Sequence, residues 1–232
     1  MKLYREENIE AIYKAIQEDE YDDTMQDVAI EQDDFLPELK NFLDMYIIPG
    51  RVLEVGCGSG DSFKDFPNIT HGLEPNERRV VRARIKGVPH CVDIKQGMIE
   101  YLPYSEDIFH TIMMINGFWQ VRSDYEALME VNRCLQIGGH FILNLLVNDN
   151  IDVVLGRVYG YHNFIRTASQ FGFSLVAYYS YNAGARFYPQ EQLAVAICFE
   201  KVLNFDYKML NLPQVDKKNV INYLHSRDWR LV

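Results

Sequence analysis

The chain is poor in cysteine, and what it has is scattered. Its 4 cysteines stand at positions 57, 91, 134 and 198, no pair has C-x-x-C spacing, and no histidine cluster accompanies them. Neither a disulfide scaffold nor a zinc site is suggested, so no metal is expected and a reducing, cytoplasmic setting fits best. No apolar run approaches the roughly 18 residues of a membrane span, so no membrane partner is expected. The opening MKLYREENIE carries acids where a secretory signal needs an apolar stretch, which argues against export by that route. Positive charge is not in excess either: 23 Lys+Arg face 33 Asp+Glu, for a net charge of −10. Such a chain repels phosphate backbones, and nucleic acid is not an expected partner. The G-x-x-x-x-G-K-[ST] pattern is missing, which excludes a Walker phosphate loop.

What is present is an ordinary globular composition, 48% hydrophobic and 24% charged, in 232 residues. That is enough apolar surface to offset chain entropy, and the length suits one domain with appendages. The acidity is local: residues 1–48 hold 4 Lys+Arg against 14 Asp+Glu, and the rest of the chain is balanced. Within that acidic segment Ile9, Ile12, Tyr13 and Ile16 recur at helical spacing, as do Phe35, Leu39, Phe42 and Leu43. Residues 1–48 are therefore expected to form a helical cap or lid, closed by Pro49-Gly50.

From Arg51 the pattern alternates. RVLEV, ITHGLEP, VPHCVDI, FHTIMMING and HFILNLLV read as strands, with a helical stretch expected after the first, ERRVVRARIKG after the second, and SDYEALMEVNRCLQIGG, from a capping Ser or Asp to a Gly pair, before the fifth. Strands alternating with helices imply a parallel sheet covered on both faces, and runs such as TIMMI suit burial on both sides. GYHNFIRTASQFGF then reads as a helix ending at Gly172. SLVAYYSY and QLAVAICFEKV follow with no helix between them and should pair antiparallel. The expected fold is α/β: a doubly wound, mostly parallel seven-stranded sheet with an antiparallel last strand. Residues 49–202 would form this domain and 203–232 a C-terminal appendage.

The informative segment is Val52-Leu53-Glu54-Val55-Gly56-Cys57-Gly58-Ser59-Gly60. A buried strand runs into three glycines spaced two apart, where the missing Cβ atoms let a ligand lie against bare main chain. In a doubly wound sheet this turn lies at the carboxyl ends of the strands, where ligands bind. The spacing is GxGxG, so the dinucleotide fingerprint fails at its third glycine. Glu54 at the strand end would repel a phosphate at close range and attract a cation. Glu74, at the end of the second strand, can accept both hydroxyls of a ribose. An adenosine with a positive charge and no phosphate meets these demands, and S-adenosylmethionine is such a molecule.

Here the chain resembles the class I S-adenosylmethionine-dependent methyltransferases, small-molecule group, over residues 50–147 and more loosely to 202. VLEVGCGSG carries the likeness. GLEPNE, QGMIEYLPYSEDIFHTI and EVNRCLQIGGHFIL follow in the family's order. The resemblance implies that Gly56, Cys57, Gly58 and Ser59 touch the methionine part of the cofactor and that Glu54 lies near its ammonium. It implies that Glu74 holds the ribose with Pro75 against the adenine face. Met98 and Ile99 would flank the adenine, and Asn116 and Gly117 would approach the methionine end. Three positions depart from the family. Met98 stands where Asp is frequent, which removes a hydrogen bond to the adenine amino group. His110 replaces the usual Asp of "F-D", and Trp119-Gln120 stand where many members have an acid-histidine pair.

Methyl transfer from a sulfonium is an in-line displacement, so the protein must mainly hold the acceptor in line and exclude water. A base is optional. Trp119 is the leading candidate beside the methyl group, and His162 is the candidate base. Phe118, Gln120, Tyr159, Tyr161, Phe164, Tyr13 and Tyr21 are further candidates on the acceptor side. Of Tyr178, Tyr179 and Tyr181, which alternate along a strand, at most one face can point to the site. The basic stretch from Arg78 to Lys86 reads as the solvated side of a helix. The function expected is methyl transfer to a small or medium-sized metabolite. The alternatives are a non-catalytic S-adenosylmethionine-binding module and, against the glycine spacing and Glu54, a dinucleotide oxidoreductase. The oligomeric state is left open.

Overall fold

A computed structural model of the protein describes residues 37–146, 161–182 and 193–206. Of the expected cap and appendage, residues 1–36 and 207–232 lie outside the described residues. Seven strands make one sheet: β1 (Val52–Val55), β2 (His71–Glu74), β3 (Asp93–Gln96), β4 (Phe109–Met114), β5 (Leu135–Leu146), β6 (Phe173–Asn182) and β7 (Leu193–Lys201). Their spatial order is β3-β2-β1-β4-β5-β7-β6. Strands β1 to β5 pair parallel, and β7 lies antiparallel between β5 and β6. This is the doubly wound, mostly parallel sheet with a reversed last strand that the pattern predicts. Chain order turns back between β1 and β4, so a crevice opens beyond their carboxyl ends.

Both faces are covered. On one, α1 (Pro37–Tyr46) buries Leu39, Phe42 and Leu43, and α2 (Glu77–Lys86) buries Val80 and Ala83, in one cluster with Val52, Met113 and Ile142. On the other, α3 (Asp124–Cys134) and α4 (Tyr161–Gln170) set Leu128, Val131, Phe164 and Ala168 against Leu53, Ile112, Phe141 and Ile197. Central strands are thus apolar on both sides because both sides are buried. Local signals fix the helix ends. Asn76 Oδ1 accepts the Arg79 N–H at 3.1 Å and Gly87 closes α2 at φ +55°, while Ser123 accepts the Glu126 N–H at 3.4 Å at the start of α3; each such cap contributes about 1 kcal/mol. Arg78, Arg82, Arg84 and Lys86 lie on the exposed side of α2 as expected, with the Arg84 guanidinium turned back onto the Ile94 carbonyl of β3 and Lys86 paired with Asp61.

Three elements differ from the sequence expectation. The helix expected after the glycine loop is a single 3-10 turn, Asp61–Lys64. The connection 61–70 must bury Phe63, Phe66 and Ile69 and contains Pro67, which leaves no room for more turns. The third strand begins at Asp93, later than VPHCVDI suggests, because pairing with β2 starts at His71↔Asp93. The helix expected to run to the Gly pair stops at Cys134. Leu135 already pairs with Phe109, and the ladder shifts register before Thr111↔His140. Gly138 and Gly139 serve that bulge. Gly138 has φ +77°, and a Cβ on Gly139 would lie 2.9 Å from the His110 carbonyl oxygen. No helix among the described residues is long and apolar enough to cross a membrane.

Candidate active site

The glycine loop is built from the ends of β1 and β2. The Gly56 and Cys57 N–H groups both donate to the Leu73 carbonyl, at 2.7 and 3.1 Å, and the Gly60 N–H donates to the Cys57 carbonyl at 2.9 Å. These bonds pin the bend to the second strand. Gly56, Gly58 and Gly60 all take the left-handed region, at φ +72°, +54° and +78°, which side chains with a Cβ resist. Their roles separate on what a Cβ would meet. At Gly60 it would strike the Phe63 ring at 2.9 Å, so that glycine lets the 3-10 turn pack. At Gly58 it would meet nothing within 4 Å. Gly58 is therefore bare main chain facing open space.

Two acids flank that space. Glu54 pairs with Gly72, two residues before Glu74, so both carboxylates leave the same face of the sheet. Each is almost wholly buried, at 4% and 3% exposure. Glu74 Oε2 accepts the Gly58 N–H at 3.0 Å and Oε1 accepts the Asn76 N–H at 3.1 Å. Glu54 Oε2 accepts the Ser62 hydroxyl. Burial pushes the Glu54 carboxyl up to about 7, Ser62 opposes this, and the negative Glu74 and Asp61 add to it. The Cys57 thiol is raised well above its usual range by burial and lies against Gly72, so it is a neutral packing group. Ser59 is half-buried.

The walls beyond the acids come from later segments. Gly97 donates to the Glu74 carbonyl at 3.1 Å, and Met98 bridges to Tyr101, whose N–H reaches the Met98 carbonyl at 3.1 Å. Ile99 is buried, whereas Met98 and Pro75 are half-buried, with the Pro75 carbonyl accepting Gln96 Nε2 at 3.0 Å. After β4, Asn116 is exposed at φ +55° and Gly117 is buried. The Met114 methyl lies 3.8 Å from where a Gly56 Cβ would be and 2.9 Å from where a Gly117 Cβ would be. It floors both segments and brings the glycine loop and Asn116-Gly117 together.

The acceptor-side candidates fare unevenly. Phe118 is fully buried and edge-on to Phe164 at 5.1 Å, so it is core. Trp119 lies in the 3-10 turn Phe118–Gln120, but its side chain lies outside the described residues, as do Tyr13, Tyr21, Tyr159 and the Tyr161 side chain. His162 is exposed in the first turn of α4. Tyr178 and Tyr179 are exposed, and Tyr181 is buried. Among the described residues no three His, Cys, Asp or Glu side chains gather as a metal site.

Two contributors are not legible in the sequence, Asn144 and Glu100, and Tyr181 is legible only as one of three strand tyrosines. Glu100 is buried, and its Oε1 accepts the Arg122 and Ser123 N–H groups at 2.6 and 3.3 Å. It ties the loop after β4 to the Met98-Ile99 wall, and burial raises its carboxyl. Glu100→Ala should orphan two backbone donors and lower stability by about 3 kcal/mol, and Glu100→Gln by less because its carbonyl can still accept both. Denaturant melts of the two variants check this.

A phosphate would meet two carboxylates here, whereas a cationic adenosine would meet bare backbone, an ammonium partner and a diol acceptor. S-adenosylmethionine therefore fits the residues present. Residues 53–143 match the model of a methyltransferase domain family. Over that segment, with this sheet and this loop, the chain is similar to the class I S-adenosylmethionine-dependent methyltransferases. Over 136 residues, 50% of the chain, it is 28% identical to a (+)-O-methylkolavelool synthase of Herpetosiphon aurantiacus, and the match spans 46% of that relative. In structure it is similar to a SAM-dependent methyltransferase of Thermotoga maritima described as a possible histamine N-methyltransferase, at 20% identity and TM-score 0.62, covering 82% of this chain and 99% of that one. It is also similar to a geranyl diphosphate methyltransferase solved with GPP and sinefungin, at 13% identity and TM-score 0.57, covering 71% and 77% of the two chains.

Proposed function

We propose that this methyltransferase acts on a small or medium-sized metabolite, with the acceptor entering beside Asn116-Gly117. The observation that carries the cofactor half is the open side of Gly58 between two buried acids on one sheet face. On this reading Glu54 pairs with the ammonium, Glu74 takes the ribose hydroxyls, and Pro75, Met98 and Ile99 flank the adenine. Gly56 to Ser59 and Asn116-Gly117 line the methionine end. The bound cofactor supplies an activated methyl group on a positive sulfur. The chain's own work is to hold the acceptor atom in line at about 3–3.5 Å and keep water out. Trp119 is the proposed contact beside the methyl group and His162 the proposed base.

Support for a small acceptor comes from charge and from the names of similar proteins. The chain is acidic, with its basic run spread along a solvated helix. The similar proteins are named for an O-methylated product, for geranyl diphosphate and for possible histamine. Cofactor consumption over a panel of small alcohols, phenols, amines and prenyl diphosphates tests the reading. Turnover with one class is expected. Turnover only with protein or RNA would overturn it.

A further inference from the structure

The apolar run FILNLL of β5 contains one amide, Asn144, which is buried at 1% exposure. A buried amide is costly unless its hydrogen bonds are made. The bonds of Asn144 point toward the site. Its Oδ1 accepts the Asn116 peptide N–H at 2.6 Å, and its Nδ2 donates to Asn116 Oδ1 at 2.7 Å. The Asn144 amide thus grips Asn116 at two points, once on its main chain and once on its side chain. Nδ2 also donates to Tyr181 Oη at 2.8 Å. Tyr181 belongs to β6, which is separated from β5 by β7. It can reach because Asn144 pairs with Ala196 and Tyr181 with Ala194, two fully buried small residues over which the phenol lies. Burial pushes the phenol up to about 12, so it stays a neutral partner.

The grip falls on a strained residue. Asn116 holds φ +55°, a region that asparagine tolerates better than most residues but does not prefer. Fixing its N–H and its side-chain oxygen together holds the Ile115–Asn116 peptide and the Asn116 side chain, and so the point from which the chain enters Gly117. That segment shares the Met114 methyl as its floor with Gly56. We infer that Asn144, backed by Tyr181, is a positioning residue that sets Asn116-Gly117 against the amino-acid end of the cofactor. The inference rests on the pocket assignment made above. Asn144 need not touch the ligand, because it acts through Asn116.

Two ligands separate positioning from general damage. S-adenosylhomocysteine carries the amino-acid end, whereas 5′-methylthioadenosine has the same adenosine and sulfur without it. Calorimetric titration of Asn144→Ala should show S-adenosylhomocysteine weakened about tenfold, the order expected for lost buried hydrogen bonds, with 5′-methylthioadenosine within about twofold of the wild type. Equal loss for both ligands, or no loss for either, would overturn the inference. Should Asn144→Ala fail to fold, Tyr181→Phe keeps the ring and is judged by the same criterion, with a selective loss of about threefold expected. A wild-type protein that bound neither ligand would sink the pocket assignment, whereas binding of both with a non-selective variant would sink only the grip.

Discussion

A tryptophan at position 58 should weaken S-adenosylmethionine at least about a hundredfold, or about 2.7 kcal/mol, and leave a cooperatively folding protein. The argument rests on direction. A Cβ on residue 58 would meet nothing within 4 Å, so the indole starts from open space and is directed into the volume a ligand would use. Its cost to the fold is the left-handed φ of +54°, on the order of 1–2 kcal/mol. Gly60→Ala is the contrasting variant. Its Cβ would strike Phe63 at 2.9 Å, so it should damage stability first. Calorimetry gives the affinities and urea melts the stabilities. Unchanged affinity in Gly58→Trp would mean that the cofactor lies elsewhere.

Glu54→Gln should flatten the pH dependence of cofactor binding. In the ligand-free protein the Glu54 carboxyl titrates near 7, raised mainly by burial. An ammonium needs the carboxylate, so below pH 7 binding must first expel a proton. Wild-type affinity is therefore expected to fall by up to about tenfold per unit between pH 7 and pH 5. The glutamine keeps an acceptor for Ser62 but no charge, and should bind about 30-fold more weakly at pH 8, with little change on acidification. Stability runs the other way. A carboxyl raised from 4.5 in the unfolded chain to about 7 in the fold favours folding below pH 4.5, and that contribution is lost as pH rises through 7. The ligand-free wild type thus carries a penalty of about 3 kcal/mol at pH 8. Ligand-free Glu54→Gln should melt higher than the wild type at pH 8 and close to it at pH 4.5. Paired melts and titrations across that range check both signs.

The parts of the molecule that were legible in the sequence are those set by short-range rules. VLEV followed by alternate glycines announces a strand and a bare bend, and the acids at 54 and 74 read as strand-end carboxylates, although their common face is set by the register of β1 against β2. Ser123 and Gly87 are cap signals readable where they stand. What escaped depends on partners distant in the chain. Asn144 looks like an irregularity in an apolar strand until Asn116 and Tyr181 close around it, and Gly138-Gly139 look like a helix stop until β4 approaches. Glu100 sits in a recognised block, but its purpose depends on N–H groups at 122 and 123. The turn at Asp61–Lys64 was misread as a helix because local propensity does not count the buried phenylalanines that the connection must place.

That abbreviated turn bears on which coenzymes the crevice will admit. Where a long helix starts at a glycine bend, its aligned peptide dipoles place about half a positive charge on the bend and draw a pyrophosphate there. Here four residues of 3-10 turn follow Gly60, too few to sum to such a field. NAD would thus meet two carboxylates with no compensating dipole, so the short backbone turn adds to the repulsion that Glu54 and Glu74 would exert on a pyrophosphate.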